Sequence, residues 1–213
     1  ARHGGLNGII HSAGVIRDSF IYTKSEAQLT EVLKPKVSGV VALDEASKEL
    51  KLDFMLLFSS ITGVYGNVGQ ADYASANAFM DQYAHYRNHL VASGARQGQT
   101  LSLNWPLWQS GGMKIDENQQ KMMEKAIGII PLETGKAMDA LYRAWLLNAG
   151  QLVVLDGNKT QLSEVFGFQI HRNSSDQPRG ISVPVIRGNT TTKASLVEPD
   201  TMLSGKEKST SVH

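Results

Sequence analysis

The stretch FMLLFSSITGVYGNVGQADYASANAFMD (residues 54–81) contains the pattern that sets the fold of this 213-residue chain. It begins within an apolar run at residues 53–61, which has the length and composition of a fully buried strand. A glycine-rich loop follows, and then a helix is predicted at about residues 71–92. A strand that leads into a helix is the unit of a parallel α/β sheet, and ligands bind outside the carboxyl ends of such strands.

Three polar side chains of this stretch are predicted to converge. Tyr73 and Asn77 are four residues apart, so they share one face of the predicted helix. Ser60 lies thirteen residues before Tyr73, where the strand should end. The hydroxyl, the phenol and the amide should therefore face one crevice, in an arrangement suited to polarising and protonating a carbonyl group.

The rest of the chain continues the alternation of strands and helices. We predict further strands at residues 6–12, 100–105 and 152–156, and further helices at residues 24–50, 117–126 and 132–147. A tight turn is expected at Ala13–Gly14, and Pro35 is expected to kink or break the first helix. This alternation predicts an α/β fold with a parallel sheet and right-handed crossovers.

The composition is that of an ordinary globular protein, with 41% hydrophobic and 19% charged residues. The net charge of +1 is too small to create a positive electrostatic potential that would favour nucleic acid or an anionic membrane as a partner. No apolar stretch approaches the ~20 residues that a membrane helix requires. The chain has no cysteine, which excludes disulfides and thiolate chemistry and fits a reducing compartment; we expect a cytoplasmic protein.

The composition changes near Gly157, where Asn, Thr, Ser, Lys and Pro begin to dominate and the periodicity ends. We therefore expect residues 1–157 to form the folded portion and residues 158–213 a polar linker or tail toward a following domain. Two apolar clusters in this tail, at residues 165–168 and 181–186, are candidates for docking on the folded portion.

Gly63, Gly66 and Gly69 form a GxxGxxG pattern between the strand and the helix. The spacing differs from the GxGxxG of dinucleotide-binding loops, so we interpret it as an irregular loop that lets the helix start close to the strand end. The chain contains no other candidate phosphate loop. If the fold binds a dinucleotide, we expect the pyrophosphate-binding half to lie before Ala1, and the opening ARHGGLNG reads as though cut from a longer chain.

No metal site is predicted from the histidines. His11 is interpreted as a buried strand residue, because no second ligand lies at zinc spacing. His85 and His89 are four residues apart on a predicted helix but lack a third partner, and we interpret them as surface residues.

Four blocks together resemble the ketoreductase domains of modular polyketide synthases, in the short-chain dehydrogenase/reductase superfamily. They are HSAGV (11–15), LKPKVSGVVALD (33–44), the opening stretch (54–81) and LSLNWPLWQSGGM (101–113). The resemblance runs over about residues 6–157, and it is specific because the blocks appear in order with matching gaps. It implies the C-terminal part of a Rossmann-like, doubly wound parallel sheet, with the N-terminal nucleotide-binding half absent from the chain.

The resemblance implies NADPH as hydride donor and a catalytic set of Ser60, Tyr73, Lys36 and Asn77. Free-standing members of the superfamily place a lysine four residues after the tyrosine, whereas polyketide ketoreductases have asparagine there and bring the lysine from the preceding helix. Lys36 stands 24 residues before Ser60, which is the family's interval. We expect its ammonium to lower the pKa of the Tyr73 phenol from the unperturbed ~10.

Further roles are implied by the same resemblance. The expected cofactor contacts are Ala13, Gly14, Ser59, Pro106, Tyr73 and Lys36, and the expected substrate contacts are Asp18, Tyr65, Trp108, Gly112 and Met113. Trp108, Gly112, Met113 and the Met-rich residues 119–126 resemble the family's lid, although core-packing residues would give the same pattern.

The family marks the B-type, which gives a D-configured β-hydroxyl, by an aspartate in the loop after the first block. The fuller pattern is Leu-Asp-Asp, and this chain has Ile16, Arg17 and Asp18. The A-type marker is a tryptophan eight residues before the tyrosine, and Tyr65 occupies that position. Both features indicate the B-type.

The resemblance thus predicts reduction of a β-ketoacyl thioester that is carried on the phosphopantetheine arm of an acyl carrier protein, with other synthase domains in cis. The alternatives are a free-standing 3-oxoacyl reductase and a catalytically silent scaffold remnant. The tyrosine–asparagine spacing and the polar tail weigh against the first, and the intact set of four residues weighs against the second. We expect the 213 residues alone to bind NADPH poorly and not to turn over.

Overall fold

The computed structural model describes residues 5–113, 115–167, 184–185 and 195–196. Four parallel strands form one sheet in the order of the sequence: β1 (Gly8–His11), β2 (Phe54–Ser60), β3 (Gln99–Trp105) and β4 (Gln151–Val153). The helices are α1 (Glu26–Lys36), α2 (Ser38–Ala46), α3 (Thr62–Tyr65), α4 (Ala71–Ala92), α5 (Glu117–Ile127), α6 (Thr134–Leu146) and α7 (Lys159–Phe166). Two further strands, β5 (Pro184–Val185) and β6 (Ser195–Leu196), pair antiparallel. The predicted α/β fold with a parallel sheet is confirmed.

Helices cover both faces of the sheet. Side chains of β2 alternate between the faces, as the two-residue period of a strand requires. Met55 and Leu57 pack with Met80 and Ala84 of α4. Leu56 packs on the other face with α6, through Ala137 and Ala140 among others. Burial on both faces explains why the first five residues of β2 are all apolar. In β3, which is also buried, the apolar Leu101, Leu103 and Trp105 alternate with polar residues.

The register brings the carboxyl ends of β2 and β3 level. Ser60 and Trp105 are paired, and the Ile61 amide donates to the carbonyl oxygen of Trp105 at 3.0 Å. The chain turns into α3 directly after β2, and α4 starts at Ala71. The end of β2 and the first turns of α4 therefore border the same edge of the sheet.

The helix predicted at residues 24–50 is two helices, and the break does not lie at Pro35. Pro35 is inside α1, and the chain breaks at Val37, between Lys36 and Ser38. Proline lacks the N–H that would bond the carbonyl of Glu31, yet the Val37 amide still donates to the carbonyl oxygen of Leu33 at 2.8 Å. The missing hydrogen bond at Pro35 weakens the last turn of α1, and the helix ends at Lys36, one residue before the break at Val37.

Three other boundaries differ from the predictions. The glycine-rich loop contains the short helix α3, and β4 is shorter than predicted and begins one residue earlier. Residues 159–166, expected to be linker, form α7, which is capped by Asn158 and buries Leu162. Phe166 packs against the same cluster as Leu162, so part of the apolar cluster at residues 165–168 docks as expected. The side chains of residues 181–186 lie outside the described part.

No helix within the described residues is both long and apolar enough to cross a membrane.

Candidate active site

Ser60 lies at the carboxyl edge of the sheet, as predicted. It is the last residue of β2, it is half-buried, and its Oγ accepts a hydrogen bond from the amide of Thr62 at 3.3 Å. The hydroxyl hydrogen remains available for another acceptor because the Thr62 bond uses a lone pair.

A buried polar network supports the end of β2. The fully buried Nδ2 of Asn104 lies 2.9 Å from the carbonyl oxygen of Ser60, 3.0 Å from Ser59 Oγ and 2.8 Å from Asp81 Oδ2. Ser102 Oγ donates to the other oxygen of Asp81 at 2.6 Å. Sequence reasoning missed Asn104 and Asp81; the signal available was a polar residue between Leu103 and Trp105 in a predicted strand, since buried polar groups require partners.

Ser59 belongs to this network and not to an open surface. Its side chain is buried, and its Oγ donates to the carbonyl oxygen of Asn77 at 3.3 Å while accepting from Asn104. The contact of Ser59 with the cofactor stays a prediction; its hydroxyl donates once and accepts once inside the protein, which leaves one lone pair.

Tyr73 and Asn77 lie on one face of α4, as their spacing predicted. Asn77 is fully buried, and its Nδ2 donates to the carbonyl oxygen of Tyr73 at 2.7 Å, whereas its Oδ1 has no partner. The phenol of Tyr73 donates to the sulfur of Met113 at 3.6 Å.

Burial raises the pKa of the Tyr73 phenol above its ordinary value. The neighbouring side chains of Asn77 and Ser60 lower the pKa, and the charge of Asp18 raises it further, so that the net shift is upward. Ser60, Asn77 and Asp18 thus all influence the protonation of this phenol.

Lys36 is turned into the protein at the end of α1, with 3% of its surface exposed. Its Nζ donates to the carbonyl oxygen of Phe58 in β2 at 2.8 Å and lies 5.6 Å from the centroid of the Tyr73 ring. Burial lowers the pKa of Lys36 to about 8, even though the charge of Asp81 raises it. The predicted convergence of Lys36 with Tyr73 is therefore present in the structure.

The expectation of a lowered pKa for the Tyr73 phenol is wrong for this structure. The pKa is raised, because burial outweighs the neighbouring groups that lower it. The Lys36 ammonium lies over the ring at cation–π distance and bonds the Phe58 carbonyl, so a phenolate formed at Tyr73 would have a cation beside it.

Two glycines allow these contacts. A Cβ on Gly14, just after β1, would lie 2.8 Å from Cε of Lys36, so a side chain there would push the lysine away. A Cβ on Gly63 in α3 would lie 3.0 Å from the backbone nitrogen of Ala78 and from Cβ of Asn77. Gly63 therefore lets α3 pack closely on α4, which agrees with our interpretation of the GxxGxxG pattern as a feature of the loop.

Asp18 and Tyr65 flank the start of α4 differently. Asp18 is exposed, and its Oδ2 accepts from Nε2 of Gln70, the residue before α4, at 2.9 Å. Tyr65 is the last residue of α3; its ring is half exposed and lies 5.2 Å from the ring of Phe166 in α7.

The three residues of the expected lid separate in the structure. Met113 reaches the site through its contact with Tyr73, and Gly112 is exposed with no atom within 4 Å of a Cβ. Trp108 instead packs against Trp105 with ring centroids 5.1 Å apart. The core-packing alternative therefore fits Trp108, and the lid interpretation fits Met113.

The remaining predicted cofactor residues lie at the same edge of the sheet. Ala13 is exposed and Gly14 is half-buried beyond the end of β1, whereas Pro106 is buried beyond the end of β3. Ala13 and Gly14 thus leave backbone accessible beside Lys36.

The three histidines of the described residues lie in different environments. His11 is buried in β1 as expected, and burial lowers its pKa. His89 is exposed, and His85 is half-buried at the surface with Nε2 3.4 Å from Oε1 of Gln151. Residues 5–113 and 115–167 contain no group of three or more potential metal ligands.

Comparison with known proteins gives the family. The KR domain family model matches residues 1–110. Polyketide synthase PksN of Bacillus subtilis (strain 168) is 50% identical over 163 residues, which cover 76% of this chain and 3% of that protein. Polyketide synthase PksL of the same organism is 47% identical over 155 residues, with 73% and 3% covered. The chain thus spans a small fraction of these relatives.

A solved structure with the same fold is described as a ketoreductase domain from the bacillaene assembly line. It aligns with a TM-score of 0.75 and 46% sequence identity, and the alignment covers 76% of this chain and 39% of that one. The fold and the site define a member of the short-chain dehydrogenase/reductase superfamily. Within it, the chain belongs to the ketoreductase-domain family of modular polyketide synthases.

Proposed function

We propose that this chain carries the catalytic portion of a ketoreductase that uses NADPH to reduce a β-ketoacyl thioester to the β-hydroxyacyl thioester. The observation that carries the proposal is the gathering of four groups at one edge of the sheet. Ser60 comes from β2, Tyr73 and Asn77 come from α4, and Lys36 comes from α1. They meet in the arrangement that reduction of a carbonyl requires.

The residues present fit a nicotinamide cofactor at this edge. The buried Oδ1 of Asn77 has no partner, and a buried ammonium at Lys36 adjoins the accessible backbone of Ala13 and Gly14. Ala13, Gly14 and Lys36 would hold the reactive end of NADPH beside Tyr73. When bound, NADPH would supply the hydride that adds to the carbonyl carbon.

The protein's own part is to stabilise and protonate the carbonyl oxygen. As the carbon accepts the hydride, negative charge develops on that oxygen, and Ser60 donates a hydrogen bond to it. The Tyr73 phenol donates the proton that completes the alcohol. Its raised pKa keeps the phenol in the protonated, donating form near neutrality.

After the transfer, Tyr73 is a phenolate and must regain a proton. The Lys36 ammonium, 5.6 Å from the ring centroid, stabilises that anion while it exists. Asn77 lies on the same helix face, and its Oδ1 has no hydrogen-bond partner among the described residues. This oxygen can orient a water molecule, or a water bound to the backbone, that passes a proton back to Tyr73.

The stereochemical class that we propose is the B-type, which gives the D-configured hydroxyl. The support is Asp18, whose charge acts on the Tyr73 phenol, and the occupation of position 65 by Tyr65 in place of tryptophan. The substrate that we propose is an acyl chain on the phosphopantetheine arm of an acyl carrier protein, with other synthase domains in cis. The relatives, which are polyketide synthases, support this assignment.

The test is an assay of the complete ketoreductase with a β-ketoacyl N-acetylcysteamine thioester. We expect oxidation of NADPH, monitored by the loss of its absorbance, and a D-configured alcohol on chiral chromatography. An acyl carrier protein loaded with the same β-ketoacyl group should react with a higher kcat/KM than the truncated thioester, because remote binding contributes to the transition state. Absence of reduction with both substrates would refute the function, and an L-configured alcohol would refute the B-type alone.

A further inference from the structure

The segment that follows β1 is joined to the start of α4 by three contacts. The Ser19 amide donates to the carbonyl oxygen of Gly69 at 3.0 Å, and Gln70 donates to the Asp18 carboxylate at 2.9 Å. The third contact is an ion pair between Lys24 Nζ and Asp72 Oδ2 at 2.6 Å.

This ion pair is buried. The side chain of Lys24 is 2% exposed and that of Asp72 is 1% exposed. By contrast, the ion pairs Arg17–Glu31 and Lys48–Glu45 have side chains that are about half exposed. Exposed pairs contribute little, whereas a buried pair requires good geometry and further hydrogen bonds to offset the loss of hydration.

Each partner of the buried pair makes one further hydrogen bond, and the two bonds involve different parts of the backbone. Lys24 Nζ also donates to the carbonyl oxygen of Arg17, the residue before Asp18. The other carboxylate oxygen of Asp72 accepts from the amide of Tyr73 at 2.9 Å. One ion pair therefore connects the backbone beside Asp18 with the backbone of the proposed proton donor.

We propose that Lys24 and Asp72 are positioning residues that fix the Asp18 loop relative to the Tyr73 phenol and so determine which face of the ketone is reduced. Neither residue needs to touch the substrate. The inference rests on the proposed function, because it concerns the stereochemistry of that reduction.

The geometry explains why a buried pair is used at this place. The loop of Arg17 and Asp18 has little apolar contact to hold it, since both residues are exposed. Asp18 influences the phenol through its charge, and such an influence varies strongly with distance. If the loop moved by about 1–2 Å, the scale of a local loop rearrangement, the electric field at the Tyr73 phenol would change. The shape of the opening through which a substrate would reach Tyr73 would change as well.

The test separates positioning from ordinary stabilisation. In the complete ketoreductase, the double variant Lys24→Met with Asp72→Leu replaces the ion pair by apolar side chains of similar volume. Such replacements of buried pairs are often neutral or stabilising, so Tm should stay close to that of the parent. We expect the fraction of the minor alcohol stereoisomer to rise about fivefold or more, a discrimination of the size that a modest shift in contacts produces.

Lys48→Met is the matched control, because it removes an exposed lysine–glutamate pair and should leave both Tm and the product ratio unchanged. If the double variant fails to fold, Lys24→Arg replaces it. Arginine keeps the charge that the buried Asp72 requires, but its longer, planar guanidinium cannot reproduce the contacts of the compact ammonium with both Arg17 and Asp72, so the minor stereoisomer should again increase.

An unchanged product ratio in a folded variant, with reduction intact, would overturn the positioning role and leave the proposed function standing. If the parent protein itself does not reduce the thioester, the proposed function fails instead. The two failures are therefore distinguishable.

Discussion

The ammonium of Lys36 lies 5.6 Å from the centroid of the Tyr73 ring and donates to the carbonyl oxygen of Phe58 at 2.8 Å. The two side chains come from α1 and α4, which lie before and after β2 in the chain and contact each other, and the carbonyl group that anchors the lysine belongs to that strand. The sheet thus fixes the distance between the proposed proton donor and the cation that would stabilise its anion.

Replacement of the proposed proton donor should stop reduction. We expect Tyr73→Phe to lower kcat/KM for a β-ketoacyl thioester by ~10²–10⁴, the range that general acid catalysis contributes. Stability should change little, because the phenol donates only to the sulfur of Met113. Tyr86→Phe, on the exposed side of the same helix, is the control and should retain full activity. Near-normal activity of Tyr73→Phe would remove the phenol from the acid role.

The rate of reduction should fall at alkaline pH through the titration of Lys36. The pKa of this lysine is about 8, so the ammonium is present below that pH and is lost above it. The pKa of Tyr73 is raised, so the phenol remains protonated over the same range. We expect log kcat/KM to be level below pH 8 and to decrease with a slope of about one per pH unit above it.

The position of this alkaline limb should depend on Asp81. Its charge raises the pKa of Lys36, so Asp81→Asn should move the limb to lower pH. Asp53→Asn, at the opposite end of β2, is the control and should leave the limb in place. A limb that stays where it is in Asp81→Asn would mean that the buried Asp81, whose own pKa is raised by burial, is uncharged in the working protein.

Gly14 should be essential for the position of Lys36. A Cβ at this residue would lie 2.8 Å from Cε of the lysine, so Gly14→Ala should displace the ammonium and lower kcat. All the atoms in the way belong to the end of the flexible Lys36 side chain, so the lysine can move aside and Tm should change little. Gly135→Ala in α6 is the matched control, since the nearest atom to its Cβ is 3.8 Å away and alanine favours a helix. Normal kinetics in Gly14→Ala would show that the lysine can move without loss of function.

Two asparagines, the buried Asn104 and the half-buried Asn88, should separate stability from catalysis. Asn104→Ala leaves groups of Ser60, Ser59 and Asp81 without their partner, at a cost of about 1–3 kcal/mol for each buried unsatisfied group. Asn88→Ala breaks two hydrogen bonds between α4 and the backbone of Thr100, far from the carboxyl edge of the sheet. Both variants should lower Tm, but only Asn104→Ala should also lower kcat, because it frees the strand end that holds Ser60. Equal kcat values in the two variants would contradict this role.

The sequence by itself determined the parallel α/β arrangement, the helix α4 at residues 71–92, and the shared face of Tyr73 and Asn77 with Ser60 nearby. These features follow from local periodicity and from contacts within a short stretch of chain, so no knowledge of distant partners is needed. The resemblance to a known family extended the prediction to Lys36, which local pattern alone would leave as an ordinary helix lysine.

Only the tertiary structure decided the electrostatics of the site. Burial lowers the pKa of Lys36 and raises that of Tyr73, and burial is a property of the packed molecule. The pairing of Lys24 with Asp72 joins residues 48 positions apart, and Asn104 reaches across to β2 and α4. Such contacts depend on how the helices and strands pack against one another. The sequence around these residues would look the same if their side chains pointed into solvent, so local sequence could not predict the contacts.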